Sequence, residues 1–590
     1  MRDLVESKGS AGVPSRLLLL ILLWIWSAPA TAQNLVQTPV PVQTQPPGQT
    51  QPPAQTESPG ETPAPGQTQM SEQEATSQVQ HFPVKKIQVQ GNTLLPESEL
   101  TALVAHLTGE TRTLGDLKDG AAAVQQAYRR AGYGGVVAFV PEQEFNNGEI
   151  VIRVVEGKIA NVEIFDNQRY TETNIRRGLP NLKEGETPRV QAIDRDIQLT
   201  NENPAKEVRV TLAAGAKPGE VDAKVRVIEE KPIRLLLGFD SSGTGSTSRF
   251  RTNIGIQHSN LWNRDHVGTF QFQTSPTTPS QVNVISVGYR VPIYSHSAAI
   301  DLFFAHSNVN NVSTTTPAGP LGFTGSGDVG GFRVHRYLPR IGEYDHRATL
   351  GWDWRHYNNN CTIGTIGSAG CGPAAADVTL LPLSIGYTGQ VQGPRLSWGF
   401  NTTVSGNVGG SSEREFSLAR QWADKHYTVW RFFGFGNVAL PAGFGFAARV
   451  AAQYSPDALV PGEQLGIGGA GSALGGVISV RGYREREVVG DFGTFFNLEA
   501  LGPDAGTFIN LRGFNLRPLA FFDFGWVGNN NNARCMINDT SCSLAGAGGG
   551  LRLGYGKRFA ARLDLGHALE DGNQKAAGTT RGHVTVNFSY

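Results

Sequence analysis

From Lys231-Pro232 to the C-terminus, apolar and polar positions alternate with a period of two. Ile285, Val287, Tyr289 and Val291 alternate with Ser286, Gly288 and Arg290. Phe444, Phe446, Ala448, Val450 and Ala452 alternate with Gly445, Ala447, Arg449 and Gln453. Phe559, Ala561, Leu563 and Leu565 do the same with Arg562, Asp564 and Gly566. In a strand this period sorts side chains onto opposite faces. Near Phe521 it puts Phe522, Phe524 and Trp526 on one face and Phe521, Asp523 and Gly525 on the other. A soluble sandwich also buries apolar faces, but many such segments suit a barrel wall between lipid and a polar lumen. Ile233 to Tyr590 allows about 16 strands at roughly 22 residues per strand and connection, and closure leaves no edge unpaired in lipid.

Between His81 and Pro232 the pattern is mixed. Val84–Val89 reads as a strand, Gly91-Asn92-Thr93 as a turn, and Pro96–Leu107 and Thr113–Ala131 as helices. In the second helix Leu114, Leu117, Val124 and Tyr128 form an apolar stripe at helical spacing. Val136–Val140 and Glu149–Val155 follow as a hairpin closed by Glu156-Gly157. The order then repeats: strand Ile159–Phe165, helices near Thr171–Gly178 and Val190–Asn201, strands Val208–Leu212 and Val221–Val227. Two β-α-α-β-β copies of about 75 residues are expected as tandem α/β domains, over 81–157 and 158–232.

Upstream, Arg2, Lys8 and Arg16 precede an apolar run from Leu17 to Trp26, followed by Ala30-Thr31-Ala32. This pattern reads as a secretory signal peptide over 1–32. The run is shorter than the about 17–25 apolar residues a membrane-spanning helix needs. Residues 33–80 are rich in Pro and Gln, and Gln-Thr-Gln-Pro-Pro occurs twice. That segment cannot bury a core and is expected to be a linker or, less simply, a Pro-rich ligand.

Composition narrows the function. The 51 Lys and Arg balance the 51 Asp and Glu, which argues against a nucleic-acid partner. Cys361 with Cys371 and Cys535 with Cys542 each flank a Gly-, Asn- or Ser-rich loop. In an exported chain they read as two disulfide staples. Free thiols or a four-cysteine metal site are the alternatives, but no C-x2-C spacing is present and His356 alone adds little. No H-E-x-x-H, Walker loop or nucleophile–base set is found, so neither an enzyme nor a cofactor is expected. Leu465–Gly471 contains a formal G-x-G-x-x-G without the βαβ context of a dinucleotide site.

Two short segments, Val480-Arg481-Gly482-Tyr483 and Phe521-Phe522-Asp523-Phe524-Gly525, together resemble the signature of two-partner secretion transporters of the haemolysin/filamentous-haemagglutinin secretion-activation type. The tandem repeat resembles the polypeptide-transport-associated (POTRA) domain. Its second copy, with Asn201-Glu202-Asn203-Pro204-Ala205 and Gly215-Ala216-Lys217-Pro218-Gly219, is similar to transporters that export a single partner. The resemblance covers Phe82 to Tyr590. It implies a 16-strand transmembrane antiparallel β-barrel in the outer membrane of a Gram-negative bacterium, with two POTRA domains in the periplasm. It also implies a loop near 464–490 folded into the lumen, with Val480–Tyr483 at its tip.

Asp523 faces that lumen, and chiefly the resemblance implies Arg481 as its partner; a guanidinium can meet a carboxylate with two parallel hydrogen bonds. Glu485 and Glu487 are the local alternatives, and a wet lumen would weaken the pair. The resemblance also brings an N-terminal plug helix, for which the Pro/Gln segment is unsuited; only Ser71–Gln80 has helical potential. The implied function is export, without ATP, of a large unfolded exoprotein of adhesin, haemolysin or haem-binding type, caught by the POTRA domains at a sheet edge or groove. The other expected partners are outer-membrane lipid and the assembly machinery that reads the terminal strand Val584–Tyr590. A barrel-assembly insertase and a small-solute porin are the rivals. Two modules rather than a longer array oppose the first, and the presence of modules at all opposes the second.

Overall fold

The computed structural model describes residues 81–590, apart from 145–147, 244–247, 309–311, 317–318, 324–325, 359–376, 471–477, 507–512 and 537–538. The expected signal peptide, the linker, and Cys361 and Cys371 lie outside the described residues.

In the first module Glu149–Glu156 is the central strand, parallel to Lys86–Gln90 and antiparallel to Val136–Phe139. Helices Glu97–Val104 and Leu114–Arg130 cover one face. Thr113 and Asp116 form a capping box that starts the longer helix. Leu100, Leu117, Val124, Tyr128, Ile150 and Ile152 form the fully buried centre. Leu114, the first residue of the helix, departs from the expected stripe and is 45% exposed. The expected strand Val84–Val89 breaks at Lys85. Phe82–Val84 pairs with Gly109–Arg112, while Lys86–Gln90 joins the main sheet. Two partners in different directions force the bend.

The second module repeats the plan. Glu220–Glu229 lies between Lys158–Phe165, to which it is parallel, and Lys206–Ala214, to which it is antiparallel, with helices Glu172–Gly178 and Val190–Thr200. The repetition extends to single atoms. In the first module the last-strand carboxylate of Glu156 accepts hydrogen bonds from the backbone N–H groups of Thr93 and Leu94 at 2.7 and 2.9 Å. In the second, Glu229 accepts from Gln168, Arg169 and Tyr170 at 3.1, 2.7 and 3.0 Å. Each glutamate thus pins the turn after its module's first strand.

From Ile233 the alternation builds a closed antiparallel barrel of 16 strands among the described residues. Closure joins the last strand, Thr580–Ser589, to the first, Ile233–Asp240, in the register Thr585↔Asp240 to Ser589↔Leu236. Tyr590 and Leu235 extend the seam with two backbone hydrogen bonds. Ile285, Val287, Leu302, Phe304, Val404, Phe446, Phe522, Trp526, Leu563 and Leu565 are exposed on the outer wall. Asp301, Asp353, Gln453, Asn497, Glu499, Asp523 and Asp564 are buried on the inner one. That inversion, apolar outside and polar inside, belongs to a barrel whose solvent is lipid. Among the described residues no helix is long and apolar enough to cross a membrane.

Candidate functional site: a loop pinned inside the barrel

The connection between strands Gly445–Tyr454 and Phe492–Leu501 turns back into the lumen. Leu465–Ile467 and Val488–Gly490 form a short antiparallel ladder within it. Ile467, Val480, Tyr483 and Val488 join Ala451, Phe495, Val527, Leu544 and Ala568 of the wall in one apolar cluster. The wall makes room with glycines. A Cβ at Gly525 would lie 3.1 Å from both Ile467 and Val480, one at Gly546 2.1 Å from the Arg481 carbonyl, and one at Gly566 2.5 Å from the Gly482 N–H nitrogen. Gly482 itself has φ +101°, a left-handed conformation that favours glycine.

At the tip, Arg481 donates from Nε and Nη2 to the two oxygens of Asp523 at 2.7 and 2.8 Å. Its backbone N–H adds a third bond to Asp523 at 3.0 Å. The remaining terminal nitrogen reaches Glu499 at 2.7 Å and Asp564 at 3.4 Å. The guanidinium stacks on the Phe521 ring, 3.5 Å from its centroid. Arg552 donates to both Glu499 and Asp564 at 2.8 Å, and Arg449 to Glu499 at 3.2 Å. Asn497 donates to Asp523 at 3.0 Å and to the Ser479 carbonyl at 2.6 Å. The Tyr483 hydroxyl lies within hydrogen-bond reach of the Ala545 and Glu570 carbonyls, at 2.9 and 2.7 Å.

The local alternatives for Arg481 are used otherwise. Glu485 accepts from the Ala470 N–H at 2.9 Å and Glu487 from the Arg484 N–H at 3.1 Å. Nor is the pair wet: the side chains of Arg481 and Asp523 are both 0% exposed, because the loop backbone and Phe521 cover them.

The base of the loop is tied at the extracellular mouth. Glu463 accepts from Arg355 at 2.6 Å, Arg431 at 3.0 Å and the Tyr357 hydroxyl at 3.0 Å. Burial opposes its charge, yet Arg355 and Arg431 hold its carboxyl down to about 2. On the other side Asp491 receives both terminal nitrogens of Arg420, at 2.6 and 3.0 Å. Arg420 ends a short helix, Glu413–Ala419, whose Phe416 is buried against Leu459 and Val460. Cys535 and Cys542 form a disulfide beside the same apolar cluster.

Of the site residues named from sequence, Val480, Arg481, Gly482, Tyr483, Phe521, Asp523 and Gly525 meet at one place in the lumen. Glu499, Asp564, Asn497, Arg552, Glu463 and Asp491 complete the site and belong to none of the sequence motifs. Lumen-facing parity marked Asp564, but the inter-strand register that brings these side chains together is not written in any one segment.

Residues 219–553 match the sequence profile of the haemolysin secretion/activation protein family ShlB/FhaC/HecB. The chain belongs to this family. Residues 82–157 match the ShlB-type POTRA domain. The outer membrane transporter CdiB of Dickeya dadantii (strain 3937) is 23% identical over 427 residues, 71% of this chain and 72% of the relative. The heme/hemopexin transporter protein HuxB of Haemophilus influenzae (strain 86-028NP) is 20% identical over 416 residues, 68% of this chain and 69% of the relative. The fold is that of the solved CdiB from Escherichia coli, with a TM-score of 0.71 and 19% identity over 88% of this chain and 93% of that one. CdiB from Acinetobacter baumannii gives 0.63 and 16% over 86% and 90%. This ShlB/FhaC/HecB family member is thus an outer-membrane β-barrel transporter with its POTRA modules in the periplasm.

Proposed function

We propose that this transporter exports one large exoprotein, captured unfolded by the POTRA modules and passed through the barrel without ATP. The observation that carries this reading is the loop pinned inside the lumen by Arg481 and Asp523, in a barrel preceded by modules with open sheet edges. Val136–Phe139 is an edge strand of the first module. On it Val137 and Phe139, two residues apart, are 50% and 40% exposed. An extended chain added there gains backbone hydrogen bonds together with apolar contact. Folding of the exported chain outside the cell would favour forward movement. The similarity to a heme/hemopexin transporter supports a haem-binding cargo among the adhesin, haemolysin and haem-binding classes. Lipid surrounds the apolar outer wall, and the terminal strand ending in Tyr590 is read by the assembly machinery.

The test is secretion of the large exoprotein encoded nearest the transporter's gene, with and without the transporter. Loss of that one protein from the medium, with other outer-membrane barrels unchanged, is expected. A broad loss of barrels with export intact overturns the proposal in favour of an insertase.

A further inference from the structure

The segment Asn201-Glu202-Asn203-Pro204-Ala205-Lys206 links helix Val190–Thr200 to strand Lys206–Ala214. Three of its side chains, Glu202, Asn203 and Lys206, reach the barrel. Asn201 holds the turn in shape: its side chain accepts from the Val208 N–H at 2.7 Å and donates to the Val208 carbonyl at 3.1 Å. Glu202 accepts from Arg347 at 3.0 Å and lies 3.4 Å from Arg290. Asn203 donates to the Ser259 carbonyl at 2.7 Å. The Pro204 carbonyl accepts from Arg234 at 2.5 Å.

Lys206 completes the set. Its ammonium donates to Asp265 at 2.6 Å and to Asn174 at 2.8 Å, and sits over the Tyr170 ring. The side chains of Lys206 and Asp265 are 0% and 1% exposed. Asp265 lies in the periplasmic turn between barrel strands Arg251–Leu261 and His266–Thr274. It also accepts from the Tyr294 hydroxyl at 2.6 Å and from Asn174 at 3.1 Å. The turn is held in an unusual shape, with Trp262, Asn263 and Asp265 all at φ near 50–60°. Burial lowers the Lys206 pKa against the pull of Asp265. Arg290 continues the network into the lumen wall, donating to Tyr337 at 2.7 Å.

A fully buried ion pair is a poor device for stability alone, since desolvation offsets much of the attraction. Its directional bonds are better suited to fixing one register between two bodies. The joint between the two modules has a different character. It uses backbone bonds from Gly134 to Pro188 and from Val190 to Gly132, and Arg189 over the Tyr133 ring. Among the described residues no ion pair crosses it.

We propose that Glu202, Asn203 and Lys206 are positioning residues, a polar key that sets the second POTRA module at one orientation against the periplasmic turns so that cargo leaving it meets the lumen. The key rests on the export reading above, but its geometry is testable without cargo. Spin labels at exposed Lys224 of the second module and Glu343 of a periplasmic turn, in full-length protein, read the orientation as a distance distribution.

Lys206→Met keeps the bulk and removes the charge. It should broaden that distribution and lower secretion about tenfold while the barrel stays heat-modifiable. Asn263 donates to Thr171 at 2.8 Å across the same joint. A Thr171→Cys/Asn263→Cys disulfide added to Lys206→Met should therefore restore secretion, and reductant should abolish the rescue. If Lys206→Met is not assembled, the partly exposed Glu202→Gln carries the test, with a smaller broadening expected. An unchanged distance distribution, or a formed disulfide that restores no secretion, overturns the proposal. Failure of the export reading instead leaves the distances altered while no cargo is found.

Discussion

At the scale of single residues, the arrangement around Arg481 depends on a planar fork. Arg481→Lys keeps the charge but cannot reproduce the paired bonds to Asp523 together with the contact to Glu499. Its secretion should fall to about a tenth, read by immunoblot of the medium, with normal barrel insertion. Asp523→Ala leaves a buried guanidinium without its main partner and should cost about 3–5 kcal/mol in urea unfolding. Arg481→Met with Asp523→Leu should be milder than Asp523→Ala, because no charge is stranded. Gly546→Val would place atoms where the Arg481 carbonyl lies, so the loop should become protease-sensitive in intact cells. That Asp523 needs a cation was legible from a lone carboxylate on an aromatic strand, but its pairing with Arg481 rather than a local glutamate was legible chiefly through the family resemblance. Glu499 and Asp564 stayed hidden because they reach Arg481 only through strand register, as in Asn497↔Asp523 and Glu499↔Phe521.

At the scale of elements, the two modules share a device that composition does not reveal, a glutamate pinning its own module's first turn. Glu229→Gln removes the charge and replaces one accepting oxygen with an NH2 group that cannot accept a backbone N–H. It should raise amide exchange at Gln168–Tyr170 by about tenfold, the effect of roughly 1.4 kcal/mol. The second module also carries a pH signature. Asp196 is buried, and burial pushes its carboxyl up to about 6 from 3.8 despite hydrogen bonds from Asn181. The folded state thus keeps a proton that the unfolded state releases near pH 4, so stability falls as pH rises from about 4 to about 6. Protection of Val190–Thr200 against hydrogen exchange, corrected for the intrinsic pH dependence of exchange, should be higher at pH 5 than at pH 7, and Asp196→Asn should flatten the difference. The β-α-α-β-β order itself was legible from periodicity. The split at Lys85 was not, because Phe82–Val84 owes its strand to a distant partner at Gly109–Arg112.

At the scale of the whole molecule, the lumenal loop is tied at three levels: Glu463 and Asp491 at the mouth, the apolar cluster below, and Arg481 at the tip. Releasing one level should not free the others. Glu463→Gln with Asp491→Asn should therefore raise conductance in planar bilayers less than the same pair combined with Arg481→Met. The outer apolar face followed from alternation, and barrel closure from alternation taken with the export signal and the family resemblance, whereas the docking of the second module did not. Its determinants, Lys206 and Asp265, sit far apart in sequence and on different domains.

The partners of Arg481 share one further property: Glu499, Asp523 and Asp564 all follow it in the chain. So does His583, on the last strand, whose ring accepts the Gly482 N–H. The tip of the loop thus makes these bonds only to wall that follows it, and that wall runs up to the strand that closes the barrel. The tip therefore latches only once those C-terminal strands are in place. A loop that fails to seat would then leave a closed but unlatched barrel, felt as a fault in traffic through the finished pore rather than in its biogenesis.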